Sequence, residues 1–193
     1  MDIIKQIAEE LQIKTSQAET AVRLIDEGNT IPFIARYRKE ATGALNDEVL
    51  RNLYERLNYL RNLEEKKEQV LASIEEQGKL TEELKQQIEK AQTLVVVDDL
   101  YRPYRPKRRT RATIAKEKGL EPLANEILLG QAKGTKEELA KAFVSPEKGV
   151  ESTEDALLGA MDILAEHISD DASFRAQIRK MTWEKGMLTS TVR

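Results

Sequence analysis

The chain has 193 residues, of which 34% are charged, with a formal net charge of −3, one histidine and no cysteine. The missing cysteines exclude disulfides, thiolate-held zinc, iron–sulfur clusters and cysteine nucleophiles. No apolar run approaches the roughly 18 residues of a membrane-spanning helix, and Met-Asp-Ile-Ile-Lys-Gln is no signal peptide, so a soluble, cytoplasmic protein is expected.

Ala, Glu, Lys, Leu and Arg supply 97 residues, about half the chain, which is the composition of long helices. Ile3, Ile4, Ile7 and Leu11 fall at helical spacing and predict a short amphipathic helix. Thr15 or Ser16 caps a second helix through Ala18, Ala21, Val22 and Ile25, closed by Gly28 in a left-handed turn. Thr30 or Ile31 caps a third, with Pro32 in the first turn, where its missing N–H is harmless. That helix runs through Ala35, Arg36, Arg38 and Lys39 and ends near Gly43. Its apolar residues read as core and its arginines as ties between helices; an extension of a basic surface is the other reading.

Asn46 caps the longest element, with Asp47 and Glu48 meeting the helix dipole in the first turn. No Gly or Pro follows until Gly78, so residues 47–77 read as one helix, about 46 Å long at 1.5 Å per residue. A compact globule of this size is about 42 Å across, so an elongated molecule is expected. Leu50, Leu53, Leu57, Leu60, Leu63, Val70 and Ile74 form the stripe, and Glu64 and Lys67 interrupt it. The stripe therefore predicts packing against partner helices rather than a sustained coiled coil.

Thr81 caps a further helix bearing Leu84, Ile88 and Ala91. Thr93–Val97 is β-branched but has little to pair with, and is read as helix. Pro103 and Pro106 push their predecessors toward extended conformations and predict a loop. Thr110 caps a helix through Ile114 and Ala115, ended by Gly119, and a second runs from Glu121-Pro122 through Leu123, Ile127 and Leu128. This is a helix-turn-helix-like outline. Thr135, Thr153 and Ser169 mark three more starts, the last leading through Phe174, Ile178 and Met181 to Gly186. The tail Met187–Arg193 has strand-like residues and reads as a cut end. The expected fold is all-α, an elongated multi-helix array with one long central helix. Three regions are expected: an N-terminal helical subdomain at 1–45, the long helix and its successor at 46–92, and the loop with C-terminal helices at 93–193, packing with the rest.

The predicted functional segment is the loop. Arg102, Arg105, Lys107, Arg108, Arg109 and Arg111 place six cations in ten residues without an acid. From Arg102 to Lys118 eight Lys/Arg face one acid, Glu117, a net +7, so the rest of the chain carries −10. Such local concentration creates a field that a polyanion feels. Guanidinium groups bind phosphate by charge and by paired donors, and Tyr101 and Tyr104 offer rings for unpaired bases. The six cations are the candidate nucleic-acid contacts; the other reading is a solvated loop, or one that binds the protein's own acids, with Asp98 and Asp99 close by to neutralise part of the charge.

Little else carries chemistry. His167 stands alone beside Glu166, Asp170 and Asp171, too few N/S ligands for a tight transition-metal site. Trp183 and the four methionines read as core or partner-facing. There is no phosphate-binding glycine loop and no nucleophile elbow. No enzyme activity, metal or cofactor is expected.

Four stretches together carry a family resemblance. They are Gly28-Asn-Thr-Ile-Pro-Phe-Ile-Ala-Arg-Tyr-Arg-Lys-Glu-Ala-Thr-Gly43, Asp99-Leu-Tyr-Arg-Pro-Tyr-Arg-Pro-Lys-Arg-Arg-Thr-Arg-Ala112, Gly119-Leu-Glu-Pro-Leu-Ala124 and Ala156-Leu-Leu-Gly-Ala-Met-Asp-Ile-Leu-Ala-Glu166. The chain resembles the N-terminal helical region of the bacterial Tex proteins, RNA-binding transcriptional accessory proteins. The resemblance implies that ribonuclease-H-like, helix-hairpin-helix and OB-fold domains follow, the last carrying much of the nucleic-acid binding. It also implies a non-catalytic part in transcription, with RNA or DNA, RNA polymerase and the other domains of the full-length chain as partners and no membrane. The alternative is an interdomain and protein-interaction scaffold whose basic loop docks on acidic protein surfaces.

Overall fold

The computed structural model describes residues 2–130 and 134–191, and among them it holds eleven α-helices, two 3-10 turns and no strand. The protein is all-α. The chain divides into two compact units, Met1–Val97 and Asp98–Arg193.

The first unit contains α1 (Ile3–Glu10), α2 (Thr15–Asp26), α3 (Ile31–Tyr37), α4 (Asp47–Glu76) and α5 (Glu82–Lys90), and the start of α6 (Leu94–Tyr101). α4 is unbroken over 30 residues, as the absence of Gly and Pro predicts. The Asn46 side chain accepts the Val49 N–H at 2.8 Å and starts it. Its stripe, Leu50, Leu53, Leu57, Leu60, Leu63, Val70 and Ile74, is buried throughout. Each such side chain contributes roughly 1.5–3 kcal/mol relative to exposure. The interruption at Glu64 and Lys67 does not break the packing. Lys67 is buried, bonds the Glu89 carbonyl at 2.9 Å in the last turn of α5, and pairs with Glu64 at 2.8 Å. The cation thus satisfies an orphan carbonyl at the negative end of a neighbouring helix.

Arg56 grips Glu10 through two bonds of 2.6 and 2.7 Å, and Arg61 grips Asp26 through two of 2.8 Å. These arginines tie α4 to α1 and α2. Among the described residues Arg36 and Arg38 make no ion pair to another helix, and of the apolar residues beside them only Ile34 is fully buried. α3 also ends at Tyr37, short of Arg38 and Lys39, because the buried Thr42 hydroxyl bonds the Arg38 and Lys39 carbonyls and draws the chain into a turn. The turn closes at Gly43, φ +63°, where a Cβ would lie 2.7 Å from Gln17 Nε2.

The second unit holds α7 (Arg111–Glu117), α8 (Glu121–Leu129), α9 (Lys136–Lys141), α10 (Thr153–Asp170) and α11 (Ala172–Lys185). α10 is its spine. Ala156, Ala160 and Ile163 pack with Ala112, Ala115, Leu120, Leu123, Ala124, Ala140 and Val150.

Three helix starts differ from expectation. α2 begins after Lys14, whose N–H is held by Gln17 Oε1 at 3.1 Å, not after Thr15 or Ser16. Ser152, rather than Thr153, caps α10. Ser169 lies inside α10, and Asp171 caps α11 instead. Its carboxylate accepts from Ser173 at 2.8 Å and Phe174 at 3.0 Å, and a negative charge suits a helix N-terminus. Leu94–Val97 is helical, as expected, and forms the start of α6, with Thr93 just before it.

Candidate nucleic-acid interface

The basic segment starts where α6 stops. Arg102–Tyr104 form a 3-10 turn, so the loop opens at Arg105 rather than at Arg102. Arg105 to Thr110 is irregular, and the Thr110 hydroxyl accepts the Thr113 N–H at 3.1 Å to begin α7. Arg111 is therefore the first helical residue of α7, not part of the loop.

The six cations fall into two groups. Arg102 and Lys107 turn inward onto the end of α10. Arg102 Nε donates to Asp170 at 3.0 Å, and Lys107 pairs with both Asp170 and Glu166, the latter at 3.3 Å. The Asp170 side chain is only 12% exposed. Thr110 adds a hydroxyl bond to Glu166 at 2.8 Å. Burial works to lower the Lys107 ammonium's pKa, but hydrogen bonds and charge from Asp170 and Glu166 outweigh it, so it ends above the ordinary lysine value. These residues line an open cleft of about 380 Å³ shared with Arg105 and Ser169.

The other four cations face outward. The Arg105 side chain is 57% exposed, 3.9 Å from Asp98, with its guanidinium 6.0 Å from the Tyr101 ring centre. That of Arg109 is 67% exposed and bonds Glu117 at 2.7 Å. Arg108 and Arg111 are exposed and make no ion pair among the described residues. Arg111 lines a different groove, with Ile114, Lys118 and Asp155, so the four do not all open onto one depression.

The upstream acids play a smaller part than their position suggests. Asp99 is taken by α11: Arg175 Nε donates to it at 2.6 Å and Arg179 pairs with its other oxygen. Burial pushes its carboxyl up, and the two arginines more than reverse this, holding it below the usual carboxylate range. The acids that do hold the segment, Glu166 and Asp170, had a signal in the sequence. They lie four residues apart on one face, where like charges repel. They also sit at the negative end of a helix. Both effects call for a cation.

His167 is exposed in the last turn of α10, and no group of metal-binding side chains occurs among the described residues. Among those residues no helix is long and apolar enough to cross a membrane.

The fold and the segment together define an all-α protein with a clamped cationic loop. Residues 1–75 match the Tex-like protein N-terminal domain and residues 131–193 the Tex central region-like domain. The chain belongs to the Tex family. It is 52% identical over 188 residues to Protein tex of Bordetella pertussis and 51% over 186 to Protein YhgF of Escherichia coli. It is 46% identical over 192 residues to the Transcriptional accessory protein Tex of Neisseria gonorrhoeae. These matches cover 97, 96 and 100% of this chain but 24, 24 and 25% of the relatives, so the chain spans about a quarter of their length.

Proposed function

We propose that this chain is a non-catalytic helical region of a transcription accessory protein, and that it contacts nucleic acid through Arg105, Arg108, Arg109 and Arg111. Arg102 and Lys107 serve the same surface indirectly, by clamping the segment to α10. The observation that carries this reading is the division of the six cations. Two are held by Asp170 and Glu166, while Arg105, Arg108 and Arg109 remain at the surface of the loop so anchored and Arg111 at the exposed start of α7. An anchored loop loses less freedom on docking. The name of the Neisseria gonorrhoeae relative, a transcriptional accessory protein, agrees with it. The α7–α8 pair is the helix-turn-helix-like part, and cytoplasmic residence with RNA polymerase near the site of action completes the reading.

The test is salt-dependent binding to a 20-base-pair duplex. Three phosphate contacts give log K against log salt a slope of about −2.7, and a Kd no tighter than ~10⁻⁶ M at physiological salt. Changing Arg108→Glu together with Arg109→Glu removes duplex binding and leaves the circular-dichroism spectrum and melting unchanged. Parent-like duplex binding by this variant sinks the reading.

A second reading has one observation in its favour. Phe174, Ile178, Met181 and Trp183 of α11 are exposed, Trp183 by 91%. Phe174, Ile178 and Met181 fall at helical spacing on one face, and an exposed apolar row of this kind suits a protein-interaction module. On that reading the double charge reversal weakens capture of an acidic protein partner and leaves nucleic acid unaffected.

A further inference from the structure

The other basic, aromatic stretch lies in the first unit, and its side chains are placed differently from those of a core helix. Phe33 and Tyr37 stand one helical turn apart on α3, with ring centres 5.3 Å apart and planes tilted by 46°. Tyr37 is 63% exposed and Phe33 38%. The Arg38 guanidinium lies 5.7 Å from the Phe33 ring centre. Only 5% of the chain is aromatic, yet two of these residues sit side by side at the surface.

The charge beside them is unspent. From Thr30 to Asn46 there are three cations, Arg36, Arg38 and Lys39, against one acid, Glu40. All three cations are exposed, and among the described residues none makes an ion pair. Arg36 and Lys39 line one open depression of about 370 Å³ with Asp47, whose carboxylate is engaged by Arg51 at 2.7 Å. Behind this surface the backbone is fixed. Ile34 is fully buried, and Gln17 Nε2 donates to the Thr42 and Gly43 carbonyls at 3.2 and 3.0 Å.

We infer that this surface is a second nucleic-acid site, selective for single strands. Tyr37, supported by Phe33, stacks on an unpaired base, while Arg36, Lys39 and Arg38 meet the flanking phosphates. Rings with adjacent cations are the chemistry by which proteins hold single strands without reading sequence. A duplex keeps its bases stacked on each other and offers Tyr37 nothing. The inference does not rest on the segment at Arg105–Arg111, which lies in the other unit.

The test uses the whole chain and fluorescence anisotropy with a labelled 12-nucleotide single strand, as RNA and as DNA, beside the matching duplex. The single strand binds more tightly than the duplex. Tyr37→Ala weakens single-strand binding about thirtyfold, the middle of the range for one base–aromatic stack. Tyr37→Phe, which keeps the ring, binds like the parent. Arg36→Ala with Lys39→Ala makes the salt slope shallower by about 1.4, at 0.7 per phosphate on a single strand. Photocrosslinking from a 5-iodouracil base marks Tyr37 or Phe33. The RNA and DNA arms show whether the ribose hydroxyl contributes, and either polymer supports the site. The three altered side chains are exposed, so the variants keep the parent's melting temperature. Absent binding by the parent, equal affinity for duplex and single strand, or parent-like binding by Tyr37→Ala each overturns the inference. The last is also the outcome if the rings meet a protein instead. Arg108→Glu with Arg109→Glu leaves most single-strand binding in place. If that variant abolishes it while Tyr37→Ala does not, the segment's role stands and this site falls.

Discussion

Gly159 shows how much a single hydrogen decides in the second unit. It sits inside α10, where alanine normally improves a helix by about 1 kcal/mol. A Cβ there would overlap Leu120 Cδ1 and come within 3.3 Å of the Ala115 Cβ. Leu120 is 1% exposed and has nowhere to go. Overpacking of this kind costs about 1–3 kcal/mol, so Gly159→Ala should lower the urea midpoint in spite of its better helix propensity. A raised midpoint would show that Leu120 yields. The glycine was visible in the sequence as part of a helical stretch, but the reason for it was not. Its contact with Leu120 lies 39 positions away and exists only once α10 crosses the α7–α8 turn.

At the scale of elements, α11 is the most weakly held helix described. None of its residues is buried, and among the described residues its ion pairs to α6 run through Asp99 with Arg175 and Arg179. Because the Asp99 carboxyl is held below its ordinary value in the folded chain, its contribution is present above the unfolded carboxylate pKa and is lost as pH falls through the lower, folded value. Acidification below about pH 4, the ordinary aspartate range, should therefore release α11 before the α10 core melts. Amide exchange of residues 172–185 would report it. Asp99→Asn should remove that pH dependence and lower stability at pH 7 by about 2 kcal/mol, the scale of a charged hydrogen bond; unchanged exchange in α11 at pH 7 would refute the tie.

The elements show plainly what sequence makes legible. Asn46, Gly78, Thr81, Thr110 and Thr135 act on backbone groups a few residues away, and each marks a boundary where expected. Ser169 misled because a serine and a nearby aspartate compete for one helix start, and the charged acceptor wins. Partners of charge were hidden for a different reason. Asp98 and Asp99 adjoin the basic segment in sequence, yet Asp99 serves α11, while Asp170 sits 68 and 63 residues beyond Arg102 and Lys107, the cations it binds.

For the molecule as a whole, two compact units place the two cationic surfaces apart in the chain, one before Val97 and one after it. The long stripe of α4 was readable as a buried face. Which surface side chains remained unpaired was not, since that depends on where every acid ends up. The clamp itself sets an order of events during synthesis. Lys107 is made 63 residues before Asp170. At 5–20 residues per second, that interval is about 3–13 s. Until then the segment has no anchor and presents all six cations, so the nascent chain is stickier toward polyanions than the finished one. An amine-reactive label should modify Lys107 readily on chains arrested before Asp170 emerges, and slowly on chains arrested well after. Equal labelling at both stages would mean that α10 adds nothing to the segment's protection. The final turn of α10 thus works as a timer that pairs two of the six charges with acids once it has been made.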